Sequence, residues 1–280
     1  MPNALLQTRP KGCSEMSDTP RSFGRKTIRP TLEPRSLMDS GEELAGVWQA
    51  RVITLCPEAF PGVLGLSLTG KALQHGLWQL HTQDLREPGI SKPRYVDDTP
   101  AGGGAGLVLR ADVVGPAIEA AQKHARGRWP ILYMSPRGNR FDQSMARDLA
   151  RCDGVTLLCG RFEGVDQRVL DHFGVLEVSL GDFVMTGGEL AAQAMLDTTV
   201  RLLPGVLGNA ASAVDESHAS GLLEHAQYTR PAEWQGLSIP DVLMSGNHAE
   251  ISRWRQEQSE ALTQARRPDL WQEYCAKKTD

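Results

Sequence analysis

No pair of cysteines at C-x-x-C spacing occurs among the five in the chain, Cys13, Cys56, Cys152, Cys159 and Cys275. That absence argues against a zinc ribbon or a disulfide framework and suits a reducing compartment. No apolar run approaches the ~20 residues that a membrane-spanning helix needs. The first residues are polar and lack the apolar h-region of a secretory signal. An excess of positive charge is missing too: 30 Lys and Arg stand against 34 Asp and Glu, a formal net charge of -4. Bulk charge therefore leaves no footprint for nucleic acid, and such a partner would need a local basic patch. Together these absences imply a cytoplasmic protein. With 280 residues, 40% hydrophobic and 23% charged, the chain is long enough for one large soluble domain or two smaller ones.

Residues 1–45 lack apolar periodicity. Pro2, Pro10, Pro20, Pro30 and Pro34 interrupt any helix, and the stretch reads as a disordered extension, a solvated tail rather than a transit peptide or RNA-binding arm. Order is expected from Val47. VWQARVITL alternates as a strand does, PEAFPGVLGLSLTGKALQHG reads as one helix ending at Gly76, and LWQLHTQDL reads as a second strand. Residues 84–106 form a long polar connection that ends in Gly102-Gly103-Gly104-Ala105-Gly106. This cluster is not a P-loop, because no Gly-Lys-Ser/Thr follows, and it lacks the spacing of a dinucleotide fingerprint. A helix over 112–125 is expected next, with Asp112 as its N-cap.

Ile131 to Glu189 then carries three apolar runs, each followed by a glycine-bearing loop and a helix. ILYM leads into Ser135-Pro136-Arg137-Gly138, VTLLC into Gly160-Arg161-Phe162-Glu163-Gly164, and LEVSL into Gly181-Asp182-Phe183-Val184-Met185-Thr186-Gly187-Gly188-Glu189. Strands alternating with helices predict an α/β domain with a largely parallel sheet, whose strand ends converge on one ligand. Pro204 and Gly205 close that domain. Residues 208–221 have linker composition, and a mostly helical region follows, with a helix start at Ser245-Gly246-Asn247-His248. Arginines interleave there with Trp254 and Trp271. That pattern fits either base stacking with phosphate contact or a core with a solvated face.

The strings VDDTPAGGGAG, CGRFEGVDQRV, GDFVMTGGEL, RLLPGVLGN, YTRP and LMSGNHAEI, in this order, resemble the bacterial TrmD family, tRNA (guanine-N1-)-methyltransferases of the SPOUT superfamily. The resemblance covers about Val47 to Arg255. It implies a deep trefoil-knotted domain over 46–207, a linker over 208–221 and a tRNA-binding helical domain over 222–280. It also implies S-adenosylmethionine as methyl donor, magnesium-dependent activity, a homodimer with shared active sites, and a tRNA substrate with guanosine at position 37.

By resemblance, the donor is held by Tyr133, Met134, Ser135, Pro136, Gly138, Gly160, Leu180, Gly181, Asp182, Phe183, Val184 and Met185, with Gly187 and Gly188 completing the pocket. Met134 and Phe183 read as packing residues. Glu163 is expected to face the donor, or to cap the following helix. Methylation at guanine N1 needs a base for the N1 proton and a cation for charge moving onto O6. The alignment gives these roles to Glu216 and Arg201. The family's linker usually reads Glu-Asp-Ser with Asp as the base, whereas this chain reads Asp215-Glu216-Ser217. Position favours Glu216 and residue type favours Asp215. The family often has Tyr at Phe162 and Phe183, and Asp at Glu224. Arg94, Arg253, Arg255 and His248 are candidates for tRNA contacts. A ribose 2′-O-methyltransferase and a non-catalytic RNA-binding protein are the competing readings.

Overall fold

A computed structural model describes residues 46–87, 95–207, 217 and 221–279. The expected disordered front, Arg94, Asp215 and Glu216 therefore lie outside the described residues. In chain order the elements are β1 (Trp48–Thr54), α1 (Ser67–Gln74), β2 (Trp78–Asp84), β3 (Asp97–Asp98), β4 (Val108–Leu109), α2 (Ala111–Gln122), β5 (Ile131–Arg140), α3 (Gln143–Ala150), β6 (Gly154–Cys159), α4 (Gln167–Phe173), β7 (Leu176–Ser179), α5 (Glu189–Val200), β8 (Glu233–Trp234), β9 (Leu237–Ser238), α6 (Asp241–Met244), α7 (His248–Arg266) and α8 (Pro268–Thr279).

Five strands form one sheet in the order β2-β1-β6-β5-β7, parallel throughout. Buried parallel strands carry apolar residues on both faces, and β1 does so. Trp48, Ala50 and Val52 join a core layer with Ala72 of α1, Leu149 of α3 and Ala192, Met195 and Leu196 of α5. Ile53 enters a second layer with Val113, Val114 and Ile118 of α2 and Val169 and Leu170 of α4. Helices thus cover both sheet faces. The buried indoles keep their polar ends satisfied: Trp48 Nε1 donates to the Leu149 carbonyl at 3.1 Å, and Trp78 Nε1 to the Thr69 carbonyl at 3.0 Å.

Several expected elements differ. The single helix from Pro57 to Gly76 is instead two 3₁₀ turns, Pro57–Ala59 and Gly62–Gly65, followed by α1. Pro61 supplies no backbone N–H and Gly62 has φ +52°, so a continuous α-ladder cannot pass. The helix α2 starts one residue before Asp112. Arg110 is the N-cap and binds the Asp112 carboxylate, so Asp112 does not cap. The expected loop after ILYM is strand. The chain runs extended to Arg140, shifting its pairing with β7 from Met134↔Val178 to Asn139↔Val178. Asp166, not Glu163, caps α4, accepting from Arg168 N at 3.0 Å.

In the C-terminal region α7 begins at His248, within the expected helix start, and Asn247 caps it, accepting from Glu250 N. Trp254 and Trp271 have aromatic partners. Trp254 meets His225 and Tyr228 edge-on, with centroids 6.4 and 6.2 Å apart, and Trp271 stacks on Tyr274 at 5.7 Å. Thr263 is fully buried and its hydroxyl accepts from Leu223 N at 2.8 Å, tying the chain just past the linker to α7. Ser217 accepts from Glu224 N at 2.9 Å.

Candidate functional site

Parallel strands β5, β6 and β7 all end on one side of the sheet, the side where open α/β sheets bind ligands. A cleft of about 200 Å³ opens there, lined by the residues that follow each strand. The expected donor residues Tyr133, Met134, Ser135 and Pro136 come from β5. Gly160 and Glu163 follow β6. Leu180, Gly181, Phe183, Val184, Met185, Gly187 and Gly188 follow β7, and all of these line the cleft. Gly138 and Asp182 do not. At Gly138 a side chain would run into the Glu177 and Val178 backbone, so this glycine serves the close approach of β5 to β7.

Two of the three segments are joined directly. Gly188 N donates to the Gly160 carbonyl at 3.0 Å. A Cβ at Gly188 would sit 2.9 Å from Cys159 Cα and from Met134 Cβ, and 3.1 Å from Gly160 N. The obstacle is backbone rather than a yielding side-chain end. Gly188→Ala should therefore displace the walls of the cleft, with an overpacking cost of ~1–3 kcal/mol. The expected outcome is a lowered melting temperature and, for the S-adenosylmethionine that the resemblance implies as donor, at least ~10-fold weaker binding by calorimetry, a loss equivalent to ~1.4 kcal/mol.

The glycine cluster ends against this site. Leu109 N donates to the Gly164 carbonyl at 2.8 Å, and Glu163 N to the Leu107 carbonyl at 2.9 Å. Gly106, at φ +86°, leaves space that a Cβ would take from the Glu163 side chain. The cluster thus lets the polar connection pass close beside a carboxylate that lines the cleft. Phe162, exposed on the same loop, has φ +59°, an uncommon conformation for a bulky residue and of a kind often found at ligand sites.

A charged framework that no local sequence pattern reveals lies behind the cleft. Arg161 lines the cleft and forks onto Glu189, with Nη2 to Oε2 at 3.0 Å and Nε to Oε1 at 3.3 Å. Glu189 is only 5% exposed, so this carboxylate is committed to partners. Thr54 donates to its Oε1 at 2.7 Å, and Arg161 Nη2 also reaches Cys56 Sγ at 3.3 Å. Burial works against the Arg161 charge, but Glu189 outweighs it and raises the guanidinium pKa. Arg137, also at the cleft, pairs with Glu177 at 3.1 Å. Burial pushes the Tyr133 phenol above its ordinary pKa. The only sequence signal for the framework was charge within glycine loops, since each partner is 28 or more positions away.

Arg201 does not line the cleft. It caps the far end of α5, whose first turn adjoins Gly188. Twelve helical residues separate them, an axial distance of about 18 Å at 1.5 Å per residue. Among the described residues no group of three or more His, Cys, Asp or Glu is placed to hold a metal ion, and no helix is long and apolar enough to cross a membrane.

Comparison with known proteins gives one family. The profile described as tRNA (Guanine-1)-methyltransferase TrmD matches residues 48–273. A protein of Roseobacter denitrificans named tRNA (guanine-N(1)-)-methyltransferase is 77% identical over 234 residues, covering 84% of this chain and 97% of its own length. Proteins of the same name from Ruegeria sp. strain TM1040 and Rhodospirillum rubrum are 69% and 54% identical, over 86% and 82% of this chain and 99% and 95% of theirs.

Proposed function

The chain belongs to the tRNA (guanine-1)-methyltransferase TrmD family, and on that premise we propose that it methylates N1 of the guanosine at tRNA position 37, 3′ of the anticodon, using S-adenosylmethionine. The observation that carries the reading is the convergence of three strand ends on one glycine-walled cleft, within a chain matched by the family over residues 48–273. S-adenosylmethionine supplies a methyl group on a sulfonium, already activated for transfer. The cleft suits it. At Gly160, Gly187 and Gly188 a Cβ would strike neighbouring protein atoms, so glycine lets the loops pack closely around the cleft, and their backbone N–H and C=O groups are the ones proposed to read the adenine edge. Glu163 places a carboxylate at the wall, for the ammonium or the sulfonium.

The acceptor groups follow from guanine chemistry. N1 carries a proton near neutrality and is a poor nucleophile until it leaves. Glu216 accepts that proton, and its carboxylate also hydrogen-bonds the exocyclic amine, selecting guanine over adenine. Arg201 stabilises the charge that then develops on O6. The target base lies in a single-stranded loop, where RNA base edges can be read, and is splayed from its stack to reach the cleft. Arg253, Arg255 and His248, all exposed on α7, are the candidates for contact with tRNA phosphates.

The reading includes a homodimer with shared sites. The ~18 Å between Arg201 and the cleft along α5 supports this, because a second copy can supply the arginine that one chain holds away. Val63, Leu66 and Leu190, exposed on α5 and on the turns beside it, are apolar surface of the kind that interfaces cover. The family's trefoil crossing and its domain limits at 207 and 222 belong to the same proposal. Magnesium finds no protein cage among the described residues, and no step is assigned to it.

The test is transfer of labelled methyl from S-adenosylmethionine to a tRNA transcript, with nuclease digestion and mass spectrometry of the nucleosides. Label in 1-methylguanosine is the expected result. Label in a 2′-O-methylated ribose makes the chain a ribose methyltransferase, and donor binding with no transfer to any tRNA makes it a non-catalytic binder.

A further inference from the structure

Two arginines line the donor cleft, although the proposed donor carries a positive sulfonium. Each is neutralised from behind. Glu189, almost fully buried and fixed by Thr54, forks onto Arg161, and Glu177 pairs with Arg137 at 3.1 Å. Among the described residues lining the cleft, Glu163 is the carboxylate, and no ion pair within 4.0 Å engages it there. With both arginines cancelled, the cleft has one unbalanced negative charge. We propose that this charge balance makes the cleft selective for a cationic sulfonium over a neutral thioether, so that it holds the methyl donor and releases the demethylated product.

The inference rests on the donor reading above and goes beyond it, since it assigns a selectivity role to four residues outside the expected donor set. The two ligands share adenosine, ammonium and carboxylate, and differ in the methyl group and the charge on sulfur. A change in cleft charge therefore acts on their affinity ratio, whereas a loosened loop weakens both alike. At an effective dielectric of about 20, an uncompensated unit charge ~10 Å from the sulfonium changes affinity roughly tenfold.

The experiment is isothermal titration of the full-length protein with S-adenosylmethionine and with S-adenosylhomocysteine. Glu189→Gln frees the Arg161 charge, and the ratio Kd(S-adenosylmethionine)/Kd(S-adenosylhomocysteine) is expected to rise roughly tenfold. Glu177→Gln sits at a more exposed pair that tolerates substitution, and solvent screening limits the expected rise to about two- to threefold. The double variant Arg161→Met/Glu189→Gln removes both charges of the inner pair and returns the ratio to the wild-type value. If Glu189→Gln does not fold, Glu177→Gln and the double variant still read the effect. Wild-type protein binding both ligands, with ratios unmoved by every variant, overturns the charge balance alone. Wild-type protein that binds neither ligand overturns the donor reading and this inference with it.

Discussion

Glu216→Gln is expected to keep wild-type affinity for S-adenosylmethionine and to lose about 10²–10⁴-fold in kcat, the usual contribution of a positioned general base. The amide is nearly isosteric with the carboxylate but cannot take the N1 proton. It also presents an NH₂ where the guanine edge presents N–H donors, so selection weakens together with rate. Asp215→Asn is the paired control. It should stay within a few-fold of wild type, because the proposed register, set on Ser217 and the Gly221-Leu222-Leu223 run, gives the base role to Glu216. Single-turnover methyl transfer, with donor binding measured alongside, separates the two. A fully active Glu216→Gln with an inactive Asp215→Asn moves the base to Asp215.

Arg201→Met should cost about 10²–10³-fold in kcat, the typical loss when one group stabilising a developing oxyanion is removed. The donor affinity should change little, because Arg201 lies outside the cleft. The more telling form of the experiment mixes two defective chains. Arg201→Met leaves the cleft intact, and Gly188→Ala damages the cleft but leaves Arg201. If each site takes its cleft from one chain and its arginine from the other, a heterodimer holds one site carrying both defects and one carrying neither. Co-expressed variants should then regain a clear fraction of wild-type turnover. If one chain supplied both elements, every site would be defective and mixing would restore nothing.

The parallel sheet was legible because strand-length apolar runs alternate with helical segments, and every strand of the central sheet follows those runs. The cleft was legible for a related reason: glycine at strand ends marks backbone that must come close to something. Other features were masked by local signals. Pro136 and Gly138 read as loop, yet the chain there stays extended because β7 approaches too closely for any side chain at 138. The apolar pattern from Pro57 to Gly76 read as one helix, but it spans Pro61 and Gly62, where the α-ladder cannot continue. Glu189 looked like an ordinary acid in the first turn of a helix. Its burial against Arg161 and Thr54 is set by contacts 28 and 135 positions away, which no local pattern carries. The acceptor groups came from family resemblance and chemistry rather than from spacing, and Glu216 lies outside the described residues.

The most direct test of the central claim compares two transcripts of one tRNA that differ only at position 37, guanosine against adenosine, in methyl transfer from labelled S-adenosylmethionine followed by nucleoside mapping. The expected result is 1-methylguanosine at position 37 of the first and no transfer to the second. Equal labelling of both transcripts, or label mapped to any other position or to a ribose, would contradict it.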